Sequence, residues 1–449
     1  MAVLGPRLVV AGTSSGVGKT TVATGLMRAL RRRGKVVAAA KVGPDFIDPG
    51  YHALATGRPG RNLDPWLFGE AVIPALAARA GAGADVLIVE GVMGLFDGVG
   101  ATHQASTAHV ARLLHAPILL VVDASSMSSS VAAVVQGFAT LDPAVSIAGV
   151  VLNRVGSDGH EAVLRQALAP LGIPVLGAIR RDSTLGWRDR HLGLVPVVER
   201  PAEIGAALER LAVAIGGQVD VEAAYRLAQG AADLPVPAPP SALPARSCRL
   251  AVAGGPAFSF SYPDNLELLA EAGAELVPFD PACDPRLPPG IGGLVAGGGF
   301  PEVFAGALAQ NRPLLADTRK QISAGLVTWA ECGGLLWLGA RLDEHRLCGV
   351  IDAEARMTSR LTLGYRTATF RTATPLGPAG TEVRGHEFHY STIEPPGEAM
   401  DLVGSHGSGR SGWASPTMLA SYLHIHLAGA PQLATNLVAA ASRHRSEAA

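Results

Sequence analysis

The chain has 449 residues, 48% hydrophobic and only 5% aromatic, with a formal net charge of −1 and four cysteines. That length allows about two to three domains, each burying its own core. The near-zero charge offers no basic footprint for nucleic acid, and so few cysteines make no disulfide framework and fit a reducing cytosol.

From Arg7 onward, short apolar runs alternate with helical stretches. The strands expected are Leu8–Ala11, Val36–Lys41, Val86–Glu90, Ile118–Asp123, Ile147–Asn153 and Pro174–Ile179. Each is nearly continuous in apolar residues, as parallel strands covered on both faces must be. Thr20–Arg33, Ala71–Ala80, Ala105–Leu114, Ser129–Thr140 and Glu161–Leu171 read as the helices between them. This βαβ series predicts a doubly wound parallel sheet. The most apolar run, Leu113 to Val122, holds His115 and Pro117 and is too short to span a bilayer, so no membrane segment is expected. A cleaved signal would destroy the loop at Thr13–Thr21, so none is expected and the protein reads as cytoplasmic.

Residues 232–246 contain five prolines, which cannot sustain a helix or a central strand and read as a semi-extended linker. Domains are therefore expected at 1–231 and 247–449. Past the linker the alternation restarts with Leu250–Ala253, a helix near Asn265–Ala272, Glu275–Phe279, Gly293–Ala296 and Leu326–Ala330.

Two motifs carry chemistry. The first is Gly12-Thr13-Ser14-Ser15-Gly16-Val17-Gly18-Lys19-Thr20-Thr21, between a strand and a helix. Small residues there let backbone N–H groups converge on phosphate oxygens at a helix N-terminus. Lys19 would reach the terminal phosphates and Thr20 would ligate Mg²⁺. The strict pattern wants its first glycine at Thr13, so a plain Gly/Ser turn is the competing reading. Magnesium needs further hard oxygens, and acids at strand ends supply them: Glu90 before Gly91, Asp123, and Asp45 and Asp48 in the segment after Lys41. Asp123, followed by Ala-Ser-Ser, reads equally well as a helix cap. Asp97 is a second-tier candidate, and Asn153 reads as a strand-end cap or a nucleotide contact.

The second motif is Leu326–Ala330 followed by Glu331-Cys332-Gly333-Gly334-Leu335: strand, sharp turn, helix. Small residues after Cys332 permit a strained elbow, and the helix N-terminus is expected to lower the thiol pKa. Cys248, Cys283 and Cys348 read as ordinary small apolar residues. A thiol nucleophile needs a base, and His386, His389, His406, His424 and His426 are the C-terminal candidates. His424 and His426 alternate along an expected strand, so only one of them can meet Cys332. His386 and His389 are three residues apart, which argues against a helical zinc motif.

The loop Gly12–Thr21, the segment Lys41–Gly50 and the segment Glu90–Gly98 together resemble the cobyrinate (or hydrogenobyrinate) a,c-diamide synthases of corrinoid biosynthesis and, more distantly, dethiobiotin synthetase. From about residue 248 to 440 the chain resembles a class I glutamine amidotransferase of the same branch. The resemblance implies a P-loop NTPase-type doubly wound sheet followed by a flavodoxin-like α/β amidotransferase domain. It implies that Thr20, Asp45 and Glu90 hold Mg²⁺, that Lys41, Asp48 and Asp97 lie near the reacting carboxylate, and that Asn153 meets adenine. It places Cys332 as nucleophile, His424 as base, and Gly298, Gly299 and Gly333 at the oxyanion hole. Most such glutaminases carry an acid two residues after the base, where this chain has His426, so the orienting third member is absent or comes from elsewhere.

The activity implied is amidation of the a and c acetate carboxylates of a corrin-type tetrapyrrole, with ATP activating the acid and glutamine supplying ammonia. The segment Gly385–Ser391 is expected near the junction of the two halves, and Arg58, Arg61 and Arg366 are guesses for tetrapyrrole contacts. Cobyric acid synthase and a nickel-sirohydrochlorin a,c-diamide synthase are the enzymatic alternatives. A partitioning-type ATPase switch with an inert C-terminal module is the non-enzymatic one, disfavoured because Ser14 stands where such switches carry a second lysine. A homodimer is compatible with this reading, though the sequence does not fix the oligomeric state.

Overall fold

A computed structural model of the chain describes residues 2–182, 201–237, 245–405 and 407–448. The chain divides into two compact units, Met1–Pro239 and Pro240–Ala449.

The first unit is built on β1 (Arg7–Gly12), α1 (Lys19–Arg32), β2 (Val37–Val42), α2 (Ile47–Thr56), β3 (Arg61–Leu63), β4 (Val86–Glu90), β5 (Ile118–Asp123), β6 (Ile147–Val155) and β7 (Val175–Arg180). The strands form one parallel sheet in the order β3-β2-β4-β1-β5-β6-β7. Every residue of β1, β2 and β4 is buried, which is why these runs are apolar without alternation. The chain builds leftward from β1 through β2, β3 and β4, then rightward through β5, so the switch point falls at the carboxyl end of β1. Strand register sets Glu90 beside Val10 on one side and Lys41 on the other.

The start of the Pro-rich stretch is not free of this unit. Pro235–Val236 pairs antiparallel with Ala2–Val3, and the Ala232 carbonyl accepts from the buried Arg7 guanidinium. An edge pair of two residues tolerates proline where a central strand would not. Residues 238–244 of that stretch lie outside the described residues.

The second unit contains β8 (Cys248–Ala253), β9 (Ala274–Phe279), β10 (Gly293–Ala296), β11 (Val327–Glu331), α3 (Gly333–Leu338), β12 (Glu354–Phe370), β13 (Glu382–Glu394), β14 (Trp413–Ser415), β15 (Met418–Ser421) and β16 (His424–Ile425). Its main sheet runs β9-β8-β10-β11-β15-β14, parallel except for the last pair. A second, antiparallel sheet is dominated by the long β12–β13 hairpin, on which β16 pairs His424 with His386. No helix among the described residues is long and apolar enough to cross a membrane.

Candidate active sites

In the first unit the phosphate loop leaves the end of β1 and turns into α1 through Gly18, whose φ of 97° only glycine adopts without strain. A Cβ there would also stand 2.3 Å from Asn153 Nδ2. Asn153, from the end of β6, donates from Nδ2 to the Val17 carbonyl at 2.8 Å and so braces the loop from its side. Arg154 donates to the Gly16 carbonyl at 2.9 Å and pairs with Asp123. Asp123 also accepts the Ser125 N–H at 2.9 Å in the turn after its strand, whereas the next helix starts only at Ser130, so it does not cap that helix. Gly12 is packed against Val17 and Lys19, and Lys19 folds over the loop to donate to the Ser14 carbonyl at 2.9 Å. Burial, with Lys41 nearby, pulls Lys19 down to about 8. Thr21 follows in the first turn of α1.

Beneath the loop lies a buried ionic cluster. Glu90 Oε1 accepts from Thr20 Oγ1 at 2.6 Å and from Lys41 Nζ at 3.0 Å, while Glu90 Oε2 lies 2.6 Å from His52 Nε2. Burial alone would raise the Glu90 pKa, but Lys41 and the His52 and Thr20 bonds hold it well below the usual carboxylate range. Lys41 Nζ also contacts Asp48 Oδ2 and is held above its ordinary value against the effect of burial. Asp48 goes the other way: burial, with the Glu90 charge beside it, pushes it up to about 8. Two carboxylates around one ammonium are thus shifted in opposite directions, Glu90 down and Asp48 up.

Asp45 is placed differently from Glu90. Its two oxygens accept the N–H groups of Ile47 and Asp48 at 3.1 and 2.8 Å, opening α2. Asp97 Oδ2 accepts the Gly94 N–H at 2.7 Å, and Leu95 N–H bonds the Gly12 carbonyl at 2.9 Å, bringing the Asp97 loop against the start of the phosphate loop. Arg58 donates to the Ala82 carbonyl at 2.6 Å, and Arg61 is buried in β3. His52, fully buried, is the member that sequence reasoning missed. It lies on α2 four residues after Asp48, hence on the same helical face.

In the second unit Cys332 stands between β11 and α3 at φ 47°, ψ −98°, a conformation non-glycine residues seldom hold. Gly334 donates to the Gly297 carbonyl at 2.9 Å, and a Cβ on Gly333 would stand 3.1 Å from Gly299 N, so the 297–299 loop closes on the elbow. Gly298 N–H donates to the Phe260 carbonyl at 3.0 Å, so of the three glycines expected at an oxyanion hole this one is already engaged. The helix-dipole expectation for the thiol does not hold. Burial, then Glu302 and Glu331, push Cys332 up to about 12, outweighing the Gly333 N–H bond that lowers it.

His424 sits at the same place: a Cβ on Gly298 would lie 2.5 Å from its Cε1. His386 stacks on it with centroids 5.0 Å apart, and burial drives both imidazoles to low pKa, His386 to about 3. His426 goes elsewhere, its Nδ1 accepting the Ala428 N–H at 3.2 Å and its ring 4.6 Å from Tyr262. His389 stacks on Tyr422 at 3.7 Å and bonds the Ser391 carbonyl at 2.8 Å. The segment Gly385–Ser391 is the middle of β13, with Cys332 Sγ 3.8 Å from the Phe388 carbonyl. Arg366 is mostly buried and pairs with the buried Glu387, Nε to Oε2 at 2.7 Å. His406 lies outside the described residues. Cys248 and Cys348 are buried, whereas Cys283 is exposed.

A phosphate loop over a buried carboxylate in one unit, and in the other a buried cysteine on an elbow with a buried histidine against the adjoining glycine loop, are the features of an ATP-dependent ligase carrying a glutamine amidotransferase module. Residues 8–194 match the family described as CobQ/CobB/MinD/ParA nucleotide binding domain, and residues 249–432 match the CobB/CobQ-like glutamine amidotransferase domain. The chain is 47% identical to a hydrogenobyrinate a,c-diamide synthase of Streptomyces coelicolor, covering 96% of this chain and 97% of that one. It is 48% identical to a protein of the same name from Thermobifida fusca, over 98% of each chain. It is 44% identical to a cobyrinate a,c-diamide synthase of Synechococcus, over 96% of this chain and 98% of that one. The chain belongs to the cobyrinate/hydrogenobyrinate a,c-diamide synthase family.

Proposed function

We propose that this chain uses ATP and glutamine to convert the a and c acetate carboxylates of hydrogenobyrinate or cobyrinate to amides. The observation that carries this reading is the near-full-length similarity to a,c-diamide synthases, with both sites built in the same chain. The relatives at 46–48% identity bear the hydrogenobyrinate name and those at 40–44% the cobyrinate name, which favours the metal-free macrocycle. We place the enzyme in the cytoplasm, where ATP and a reduced thiol coexist.

Residues 1–231 would act as the synthetase. A carboxylate is a poor electrophile with no competent leaving group. Attack of its oxygen on the γ-phosphorus releases ADP and gives an acyl phosphate, which ammonia opens with loss of phosphate. Lys19 and the amides of Gly16 and Gly18 suit the triphosphate, and Asn153 stands where it can meet the nucleotide. Lys41, Asp48 and Asp97 suit the reacting carboxylate. A protonated Asp48 beside Lys41 would lessen repulsion of an incoming anion.

The donor set also fits Mg²⁺, since the Thr20 hydroxyl and the ionised Glu90 carboxylate are adjacent hard oxygens. Among the described residues no group of three acids, histidines or cysteines is arranged to hold a metal. Triphosphate oxygens would therefore complete the shell, and Asp45 would contribute only through an oxygen that already accepts a backbone N–H. Bound there, the ion would neutralise phosphate charge.

Residues 247–449 would act as the glutaminase. The Cys332 sulfur attacks the side-chain amide, its proton passes through His424 to the departing ammonia, and water then releases glutamate from the thioester. With carboxyl-¹⁸O-labelled macrocycle, the acyl-phosphate route puts one labelled oxygen in each phosphate released. Unlabelled phosphate alongside amide formation would refute that route.

A further inference from the structure

A Cys–His pair works only if the imidazole is held with one nitrogen toward the thiol and the other toward a group that tolerates its cationic form. His426 occupies the usual place of that group and is turned away, toward Ala428 and Tyr262. A carboxylate arrives from a different strand. Glu331, the last residue of β11, is 7% exposed. Its Oε1 accepts the Ile425 N–H at 2.8 Å, and its Oε2 lies 3.9 Å from His424 Nδ1. One side chain thus grips the backbone next to His424 and stands beside its Nδ1. Cε1 and Nε2 of the same ring are packed against Gly298, whose neighbours Gly297 and Gly299 close on the elbow. Strand pairing enforces this. Glu331 pairs with Ser421 in the parallel β11–β15 ladder, Cys332 N–H donates to the Ser421 carbonyl at 2.7 Å, and the chain continues from there to His424.

We propose that Glu331 is the positioning residue of the glutaminase reaction, supplying from the position before the nucleophile the carboxylate missing after the base. The proposal rests on the reading of Cys332 as nucleophile and His424 as base. Glu331 holds His424 with Nδ1 inward and Nε2 toward the thiol, and it faces the imidazolium that forms when Cys332 yields its proton. It touches no substrate atom and is unchanged over the cycle: the S–C bond forms, the C–N bond breaks, and the thiol proton leaves with ammonia. The 3.9 Å separation is one that closes to a hydrogen bond once the imidazole is charged.

Burial pushes Glu331 up to about 8 and drives His424 low. The titratable groups facing this pair are Cys332 from the elbow, His386 and His389 from β13, and Glu302 and Glu387 near the sulfur.

The test compares full-length wild type with Glu331→Gln, Glu331→Asp and Glu331→Leu. Glutamine hydrolysis is measured across pH 6–9, and ammonia-dependent amidation of the same preparations checks integrity. Gln keeps an oxygen for the Ile425 N–H but cannot become anionic. Glu331→Gln is expected to lower kcat for glutamine roughly 10- to 100-fold with KM within about twofold and a displaced pH profile. Glu331→Asp should recover part of the rate, and Glu331→Leu should lose both rate and folded yield. A Glu331→Gln kcat within about twofold of wild type and an unmoved profile would overturn the proposal. Glutamine turnover equal in wild type and Cys332→Ala would instead overturn the nucleophile assignment beneath it.

Discussion

His52 Nε2 and Glu90 Oε2 lie 2.6 Å apart with both side chains sealed from solvent, so the carboxylate under the phosphate loop is aimed from behind by an imidazole. This contact fixes one oxygen of Glu90 and leaves the other to Thr20 and Lys41. Replacing His52 by Leu removes a hydrogen bond to a buried charge, a loss of roughly 1.5–3 kcal/mol. His52→Leu is expected to weaken Mg²⁺-supported binding of a fluorescent ATP analogue roughly tenfold or more, and His52→Gln, which can still donate, to weaken it less. Equal loss in both variants would mean that His52 acts through packing alone.

Gly18→Ala is expected to raise KM for ATP about tenfold or more while sparing glutamine hydrolysis. Holding alanine at φ 97° costs about 1–2 kcal/mol, and its Cβ would displace Asn153 from Val17. Steady-state ATP titrations decide it, and an unchanged KM would show that the loop reshapes freely.

Arg366 and Glu387 form a pair whose side chains are 11% and 8% exposed. Arg366→Met leaves Glu387 without this cation and is expected to destabilise the second unit by roughly 3–5 kcal/mol. A loss seen in macrocycle KM without any change in stability would make Arg366 a substrate contact.

The second unit should be most stable in a mildly acidic window, between about pH 4.5 and 6.5. His386 has its folded pKa lowered to about 3 from 6.5, so below pH 6.5 the unfolded chain binds a proton that the folded one does not. That stability is present above 6.5 and lost as pH falls through about 3. Glu331 has its pKa raised from 4.5 to about 8, so its contribution is complete below 4.5 and lost as pH rises through about 8. Urea midpoints read by labelling the buried thiols Cys248, Cys332 and Cys348 should flatten on the alkaline side in Glu331→Gln and on the acid side in His386→Asn. Unaltered limbs would contradict the assignment of either group.

Much of this was legible in the chain. The runs of β1, β2, β4 and β5 are apolar without alternation apart from a charged residue at or near one end, because both faces are covered, and the phosphate loop and the Cys332 elbow are local patterns with local causes. What escaped depends on distant partners. Ile47–Thr56 contains Pro49 and Gly50 and reads as loop until the Asp45 carboxylate caps it, so His52 was unseen although the spacing from Asp48 to His52 was there to notice. Glu331 reads as an ordinary strand end, since its partner Ile425 lies 94 residues away and arrives only through the strand order. The Cys332 thiol was misjudged for a related reason: the helix start behind it is local, whereas the burial that dominates its pKa is tertiary.

The most direct test of the central claim is mass spectrometry of hydrogenobyrinate incubated with ATP, Mg²⁺ and either glutamine or ammonia, using wild type and Cys332→Ala. Wild type should add two amides from either nitrogen source, and Cys332→Ala should add them only from ammonia. No amide from ammonia in wild type, with hydrogenobyrinate or with cobyrinate, would contradict the assignment of the chain as an a,c-diamide synthase.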